Sequence, residues 1–472
     1  MDFITNILSY ILPILGAIML LVFVHEMGHF LFAKLFKMRV ERFSIGFPPK
    51  IFSKKIGETE YVIAATPLGG YVKITGMVDE SMDTDYAESE PKPWEFLSKP
   101  VWQRIVVITA GVIFNVILAA FVFIGLKAAY GEAYIPAEGD VFVVDSSLAW
   151  QMGLRTGDNI VAINGEEVDE FDGLKGLEEA IFADPLRITV ERDGARQTFE
   201  GPSDIMTQLS RSGGTFGIGF DPALVGTVVE GSAASELGLI TGDRILAING
   251  EPVRFWREMT TKIQESEGQP MVLRWERPDS LAGLAPPSGV RRVMANDSAA
   301  VIPVGSARVA VNGIVLEGQI TPRESDGRYV LGIFQLVRHE QYSLAAAIPA
   351  GIVDTWVNTK LIATSLKRVF SGQENLRENL GGPIMIAVVT KEAAEAGAGV
   401  FWKIVAMLSI TLAIINILPI PALDGGHLVF LIYEGITRRE PSLKVRMVMQ
   451  QIGMVLLLAF MTFLIFNDIL RL

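Results

Sequence analysis

The chain has 472 residues, half of them hydrophobic, with 41 Lys and Arg against 53 Asp and Glu and a formal charge of −12. That hydrophobic share and length rule against a single soluble domain and leave room for a membrane part plus two or three soluble domains, while the acidic balance argues against nucleic acid and gives no polybasic lipid-binding tract. Cysteine is absent, so disulfides and thiolate ligands are excluded, and any metal must be held by His, Asp or Glu.

Residues 1–36 read as a first transmembrane helix, apolar from Ile4 onward and long enough for a hydrocarbon core of about 30 Å. The stretch from Met1 to Tyr10 lacks a basic n-region, so the segment is expected to be retained rather than cleaved. Inside it stands His25-Glu26-Met27-Gly28-His29. Residues four apart share a helix face, so His25 and His29 can reach one metal ion, with Glu26 leaning toward the same centre as a general base. Each ionisable group at mid-bilayer costs about 2.5–3.5 kcal/mol, so three in five residues need a cofactor or polar partners. Lys37, Arg39, Arg42, Lys50, Lys54 and Lys55 follow and nothing basic precedes, which places the N-terminus outside and the site toward the cytoplasmic half.

Residues 37–104 form a cytoplasmic or membrane-associated region. Tyr61-Val62-Ile63-Ala64 and Tyr71-Val72-Lys73-Ile74 flank Pro67-Leu68-Gly69-Gly70, and two β-rich runs about a Pro/Gly break predict a hairpin. It is either a small hairpin in the cytoplasm or a loop that dips to the site and offers a strand edge. Met77 to Lys99 is acidic and irregular. Residues 105–130 are the second transmembrane helix, where Gly111 and Asn115 share a face; close helix packing suffices to explain both.

From 131 the chain turns polar and repeats itself. Gly157-Asp158-Asn159-Ile160-Val161-Ala162-Ile163-Asn164-Gly165 recurs as Gly242-Asp243-Arg244-Ile245-Leu246-Ala247-Ile248-Asn249-Gly250, an offset of 85 residues. Met152-Gly153-Leu154 recurs likewise as Leu237-Gly238-Leu239. Each copy reads as strand, short helix, Gly-Asp turn, buried strand and Asn-Gly turn. The pattern resembles the PDZ domain, in two tandem α+β copies at 131–221 and 222–315, which either bind peptides by strand addition or act as rigid filters. Asp279 to Ser306, rich in Pro, Gly, Ala and Ser, reads as an insertion in the second copy.

Residues 316–398 contain the apolar run Ser343–Phe370, which carries Asp354, Asn358, Lys360, Lys367 and Arg368. A basic loop at 435–446 (Arg438, Arg439, Lys444, Arg446) should be cytoplasmic, so one crossing separates it from the repeats. The third transmembrane helix, 399–434, supplies that crossing, leaving Ser343–Phe370 as an amphipathic helix on the outer surface. The fourth is 447–472. The third span carries Asn416-Ile417-Leu418-Pro419-Ile420-Pro421-Ala422-Leu423-Asp424-Gly425-Gly426-His427, whose prolines break a helix that lipid would otherwise require intact. Asp424 lies at a depth matching His25 and can complete a His₂Asp set with one position left for water. Capping the broken helix is its other possible role. His427 is a further candidate, as ligand, as hydrogen-bond donor to a ligand, or as an interfacial residue.

Together, His25-Glu26-x-x-His29, Gly111-x-x-x-Asn115 and Asn416-x-x-Pro419-x-Pro421-x-Leu423-Asp424-Gly425, with two PDZ-like copies between the second and third spans, resemble the site-2 protease family of intramembrane zinc metalloproteases. The similarity runs nearly end to end; one departure is Pro48, where relatives often carry glycine. The resemblance implies a multi-pass α-helical membrane protein with four transmembrane helices, a membrane-associated β-hairpin and two PDZ-like domains. It implies Zn²⁺ on His25, His29 and Asp424, with Glu26 as catalytic base. Gly70, Tyr71, Val72 and Lys73 would pair with an unwound substrate segment, which Asn416, Pro419 and Pro421 help hold. The implied substrate is a membrane-spanning anti-sigma factor already cut by an upstream site-1 protease, with signal-peptide remnants as a second class. The implied location is the bacterial inner membrane, with the PDZ-like pair in the periplasm excluding bulky substrates. Two rival classes are a metal transporter and a membrane-anchored PDZ adaptor; four spans without a membrane repeat disfavour the first, and the metal cluster disfavours the second.

Overall fold

A computed structural model of the chain describes residues 2–77, 92–134, 141–167, 185–211, 216–219, 221–279, 289–293, 303–304, 307–308, 313–325 and 327–471. It divides into two compact units, Met1–Gly131 with Gln341–Leu472, and Glu132–Glu340.

In the first unit, four helices contain stretches long and apolar enough to cross a membrane: Leu12–Leu35 within α1 (Asp2–Leu35), α2 (Val101–Tyr130), and two near the C-terminus described below. Between α1 and α2, two long strands, β1 (Val40–Ile56) and β2 (Thr59–Ile74), fold on themselves. The turn joining them is at Gly57 in the left-handed region, not at the Pro/Gly pair anticipated from sequence; β2 runs through 67–70 as extended chain. The register explains how. Residues 42–47 pair with 60–66 on one side and residues 40–45 pair with 70–74 on the other, so Gly70–Ile74 becomes an edge. Gly46, at φ +89°, lets β1 kink between its two pairings. Lys50 and Arg42 both hydrogen-bond Glu60 and hold its carboxyl down to about 2. The sheet docks on α1 through edge-to-face rings: Phe23 on Phe43 at 6.0 Å, Phe30 on Phe43 at 5.4 Å and on Tyr61 at 6.0 Å.

The C-terminal half of this unit begins with α3 (Leu344–Phe370), N-capped by Ser343. It packs on α2 where Gly351 lets the backbones meet at Ile124, and Asp354 pairs with Lys127 at 3.3 Å. Its opposite face leaves Ile348, Ile352, Val353 and Trp356 exposed. Next come α4 (Pro383–Ala396), α5 (Ala398–Ile417), α6 (Asp424–Thr437) and α7 (Leu443–Arg471). The remaining two apolar stretches are α5 and Leu443–Leu470 of α7. α5 and α6 are one span interrupted: Pro419 and Pro421 lack the N–H a helix needs, and Ala422 takes φ +76°. Gly425 and Gly426 then pass so near the carbonyls of Leu418 and Ile420 that a Cβ would collide. Asp468 of α7, fully buried, accepts the N–H groups of Gly382, Ile384 and Met385 at 2.8–3.1 Å and so caps α4. Arg104 of α2 grips Glu434 of α6 with both guanidinium Nη atoms, tying the N-terminal end of α2 to the C-terminal end of α6.

The second unit opens and closes on one strand pair, Glu132–Tyr134 with Arg338–Glu340. Inside it the 85-residue repeat is matched bond for bond. Asp158 and Asp243 each accept the backbone N–H three residues upstream (Arg155, Ile240), and each is held bidentately by an arginine, Arg192 or Arg277, that also donates to Gly153 or Gly238 O. Asn164 and Asn249 both lie in left-handed turns before glycine, with Oδ1 accepting from Arg187 N and Val272 N. After the insertion the spacing changes: Ser147 bonds to Gly217 O and Ser232 to Gly332 O, so the second copy's equivalents sit 115 residues on. Strand Gly313–Ile320 runs across residue 315, and Ile333–Gln335 returns to pair with Val225–Val228, so the second copy's strands continue to Gln335. Of the insertion, Arg291–Val293 adds a fifth strand to the sheet; most of the rest lies outside the described residues.

The two equivalent ion pairs differ in exposure. Arg277 and Asp243 are 2% and 0% exposed, whereas Arg192 is 26% exposed. Asp243→Ala should strand a buried cation and cost about 3–5 kcal/mol, with Asp158→Ala costing clearly less. Urea-pulse proteolysis of the intact protein measures both; equal losses would refute the ranking.

Candidate active site

At 100° per residue, α1 presents three neighbouring faces. Phe23 and Phe30 face the sheet, His25 and His29 lie about 200–240° round from Phe23, and Glu26 falls about 60° from Phe23 on the side between them. The two imidazoles therefore face α2 while the carboxylate lies under the sheet's edge.

Two glycines make that packing possible. A Cβ on Gly28 would lie 2.5 Å from Ala110 O, and one on Gly111 would strike both His29 Nε2 and the His25 ring. With hydrogen in both places, α1 and α2 approach closely enough for His29 Nδ1 to donate to Val107 O at 2.8 Å. That bond puts the ring's proton on Nδ1 and leaves the Nε2 lone pair facing inward. His25 and His29 are 7% and 8% exposed.

Asp424, first residue of α6 beyond the helix break, brings Oδ2 to 3.1 Å from His25 Nε2 and 3.5 Å from His29 Nε2; the two Nε2 atoms are 3.2 Å apart. Among the described residues this is the cluster able to hold a metal. Donors about 2.0–2.1 Å from one tetrahedral ion stand about 3.3–3.4 Å apart, so the spacing found is the spacing zinc requires. Asp424 Oδ2 is also buried without a well-formed hydrogen bond. An oxygen so placed lacks a positive partner, and the residues present fit Zn²⁺.

A cavity of about 100 Å³ opens beside this cluster, lined by Glu26, Tyr71, Val72, Asn416 and His427 among others. The Val72 N–H hydrogen-bonds to the Glu26 carboxylate. Gly70 lies against Glu26 Cγ and Val22, where any side chain would collide with Val22 and Ser44 O. One side of Gly70–Ile74 pairs with β1; the other carries no strand among the described residues. Asn416 sets its amide 3.3 Å from His25 Nε2. His427 lines the cavity but is outside the donor cluster.

The side chains of the other expected residues make different contacts. Lys73 turns away to Glu41 at 3.5 Å. Tyr71 stacks on Phe47 and accepts from Arg42 through its hydroxyl. Pro419 and Pro421 shape the break without lining the cavity. Sequence reasoning did not find the Val107 carbonyl, which has no side-chain signal, nor Gly28, whose position within the His-Glu motif on the face toward α2 was the available clue.

Comparison with known proteins gives a consistent result. Residues 13–460 match Peptidase family M50. The regulator of sigma-E protease of Escherichia coli is 31% identical over 487 aligned residues, covering all of both chains. Its counterpart from Salmonella typhimurium is 31% identical with 97% of each chain covered, and protease RseP of Yersinia pestis is 30% identical over 99% of this chain and all of its own. With a family match over most of its length and relatives that align end to end, this chain belongs to Peptidase family M50 and is a membrane-embedded zinc metalloprotease.

Proposed function

We propose that this protease cleaves the transmembrane segments of single-pass membrane proteins in the inner membrane, at a centre formed by His25, His29 and Asp424 with Glu26 as the base. The observation that carries the reading is the convergence of three donors at 3.1–3.5 Å with Glu26 beside them, beneath an unpaired strand edge.

Zinc bound there supplies a Lewis acid and lowers the pKa of water toward about 7. Glu26 is placed to take one proton from the attacking water as the water's oxygen adds to the scissile carbonyl carbon, and would return it to the amide nitrogen as the C–N bond breaks. A transmembrane helix hides its carbonyls in internal hydrogen bonds, so it must unwind first. The Gly70–Ile74 edge offers the opened segment replacement backbone partners, and Asn416 lies where it would touch that segment. Lys73 serves the edge through its main chain, since its side chain points elsewhere.

The substrate we favour is an anti-sigma factor already trimmed by an upstream protease, with signal-peptide remnants as a second class; full-length relatives named for sigma-E regulation support this. In the same reading, residues 132–340 are two periplasmic PDZ-like domains that control which chains reach the bilayer, and α3 rests its apolar face, with Trp356, in lipid at the outer surface. The basic residues after α1 and between α6 and α7 support a site toward the cytoplasm.

Purified protein should cleave a model transmembrane peptide, stop when a chelator removes zinc, and resume when zinc is restored. A transporter would move zinc without cleavage, and an adaptor would do neither. Glu26→Gln should keep zinc and lose about 10²–10⁴-fold or more in turnover, whereas His25→Ala and Asp424→Ala lose zinc as well; normal proteolysis by Glu26→Gln would sink the assignment. Val72→Pro removes the edge N–H that donates to Glu26 and distorts the strand beside it, and should lower cleavage roughly tenfold or more at unchanged zinc content. Wild-type turnover in that variant would remove the strand edge from the mechanism.

A further inference from the structure

The two histidines of the cluster are not held alike. His29 has a backbone carbonyl, Val107 O, as acceptor for its Nδ1–H. His25 Nδ1 instead faces the side-chain amide of Asn115, at 3.3 Å to Nδ2. Asn115 is fully buried on α2, and its Oδ1 has no hydrogen-bond partner among the described residues. Its main chain is pinned, because Ser409 of α5 donates to its carbonyl at 2.8 Å.

A neutral imidazole carries one proton, on one nitrogen or the other. With the Asn115 N–H aimed at Nδ1, the proton of His25 belongs on Nε2, which faces Asp424 Oδ2 at 3.1 Å and the Asn416 amide at 3.3 Å. That arrangement suits a ring without metal, since it occupies the lone pair that a metal needs. Ligation requires the opposite tautomer: lone pair on Nε2, proton on Nδ1, and an acceptor for that proton. The group within hydrogen-bond reach of Nδ1 is the Asn115 amide, whose oxygen is unused.

Building on the zinc-centre reading above, we infer that Asn115 is a positioning residue for the metal: half a turn of its amide about Cβ–Cγ brings Oδ1 to His25 Nδ1–H and fixes the ligating tautomer. An amide suits the place because it donates at one end and accepts at the other, and so serves His25 in both states. Carboxylate would serve only the loaded state, and an apolar side chain neither. Asn115 touches no reacting atom; it acts through His25.

The test reads zinc affinity rather than turnover. Glu26→Gln protein in detergent is the parent, and its zinc dissociation constant is measured by competition with a chromogenic chelator. In that background Asn115→Leu should bind zinc about 10–100-fold more weakly. Asn115→Asp, an acceptor without a donor, should bind as tightly as the parent or more tightly. Melting temperatures of the metal-free proteins check folding, and Asn115→Ala is read in the same way should the leucine variant not fold. Unchanged affinity in the apolar variant, or an aspartate variant as weak as the apolar one, overturns the inference. A parent that binds no zinc overturns the metal-centre reading itself, which is a different result.

Discussion

Three electron-pair donors held 3.1–3.5 Å apart inside an apolar helix bundle repel one another unless a cation or shared protons lie between them, and the surrounding structure is arranged to keep them there. Two arrive on α1 because the motif spacing matches the helical period. They can face α2 only because Gly28 and Gly111 let the backbones approach. The third arrives from a helix that has to be broken, since an unbroken helix would carry the residues after Ile417 along the α5 axis. Pro419, Pro421, the left-handed Ala422 and the two glycines after Asp424 make the break, and Gly453 of α7 packs against the Pro421 backbone to support it. The close glycine contacts between α1 and α2 and the break before α6 thus trace to one electrostatic need.

The same constraint fixes where the sheet sits. The faces of α1 leave Glu26 between the histidines and the aromatic side that docks the strands. A strand without a side chain at Gly70 can then lie directly on the carboxylate. Doubling of β1 and β2 places Gly70–Ile74 outermost, where the Val72 N–H meets the Glu26 carboxylate. Unpaired edges are normally a liability that proteins cover or charge. Here the open edge lies beside a carboxylate and the three-donor cluster.

Legibility in the sequence followed the range of the interaction. His25 with His29, the four apolar stretches, and the Asn-Gly and Gly-Asp turns of the repeat are local patterns whose period or turn chemistry is written within a few residues. Asp424 was legible because prolines inside an apolar run announce a break. The route of β2 was not: Pro67 to Gly70 has the composition of a turn, yet pairing with β1 on both sides of that stretch keeps it extended and moves the turn to Gly57. The end of the second repeat was hidden for a related reason, since an insertion of low-complexity sequence shifts the spacing from 85 to 115 residues and its last strand pairs back across more than 100 residues. Where a bond joins a side chain to a backbone carbonyl, as at His29 and Val107, sequence holds no sign of the acceptor.

The two arginine–aspartate pairs and the two histidine environments make one point about repetition and asymmetry. In the second unit the same bonds recur in both copies, because a buried guanidinium must meet its carboxylate wherever it occurs. At the three-donor cluster the two histidines meet different neighbours, one a backbone carbonyl that cannot change character and one an amide that can. A carbonyl accepts only, so His29 has its tautomer fixed before any metal arrives. An amide offers either end, so on the inference drawn above Asn115 can meet His25 Nδ1 as a donor in the metal-free ring and, after half a turn, as an acceptor in the ligating one.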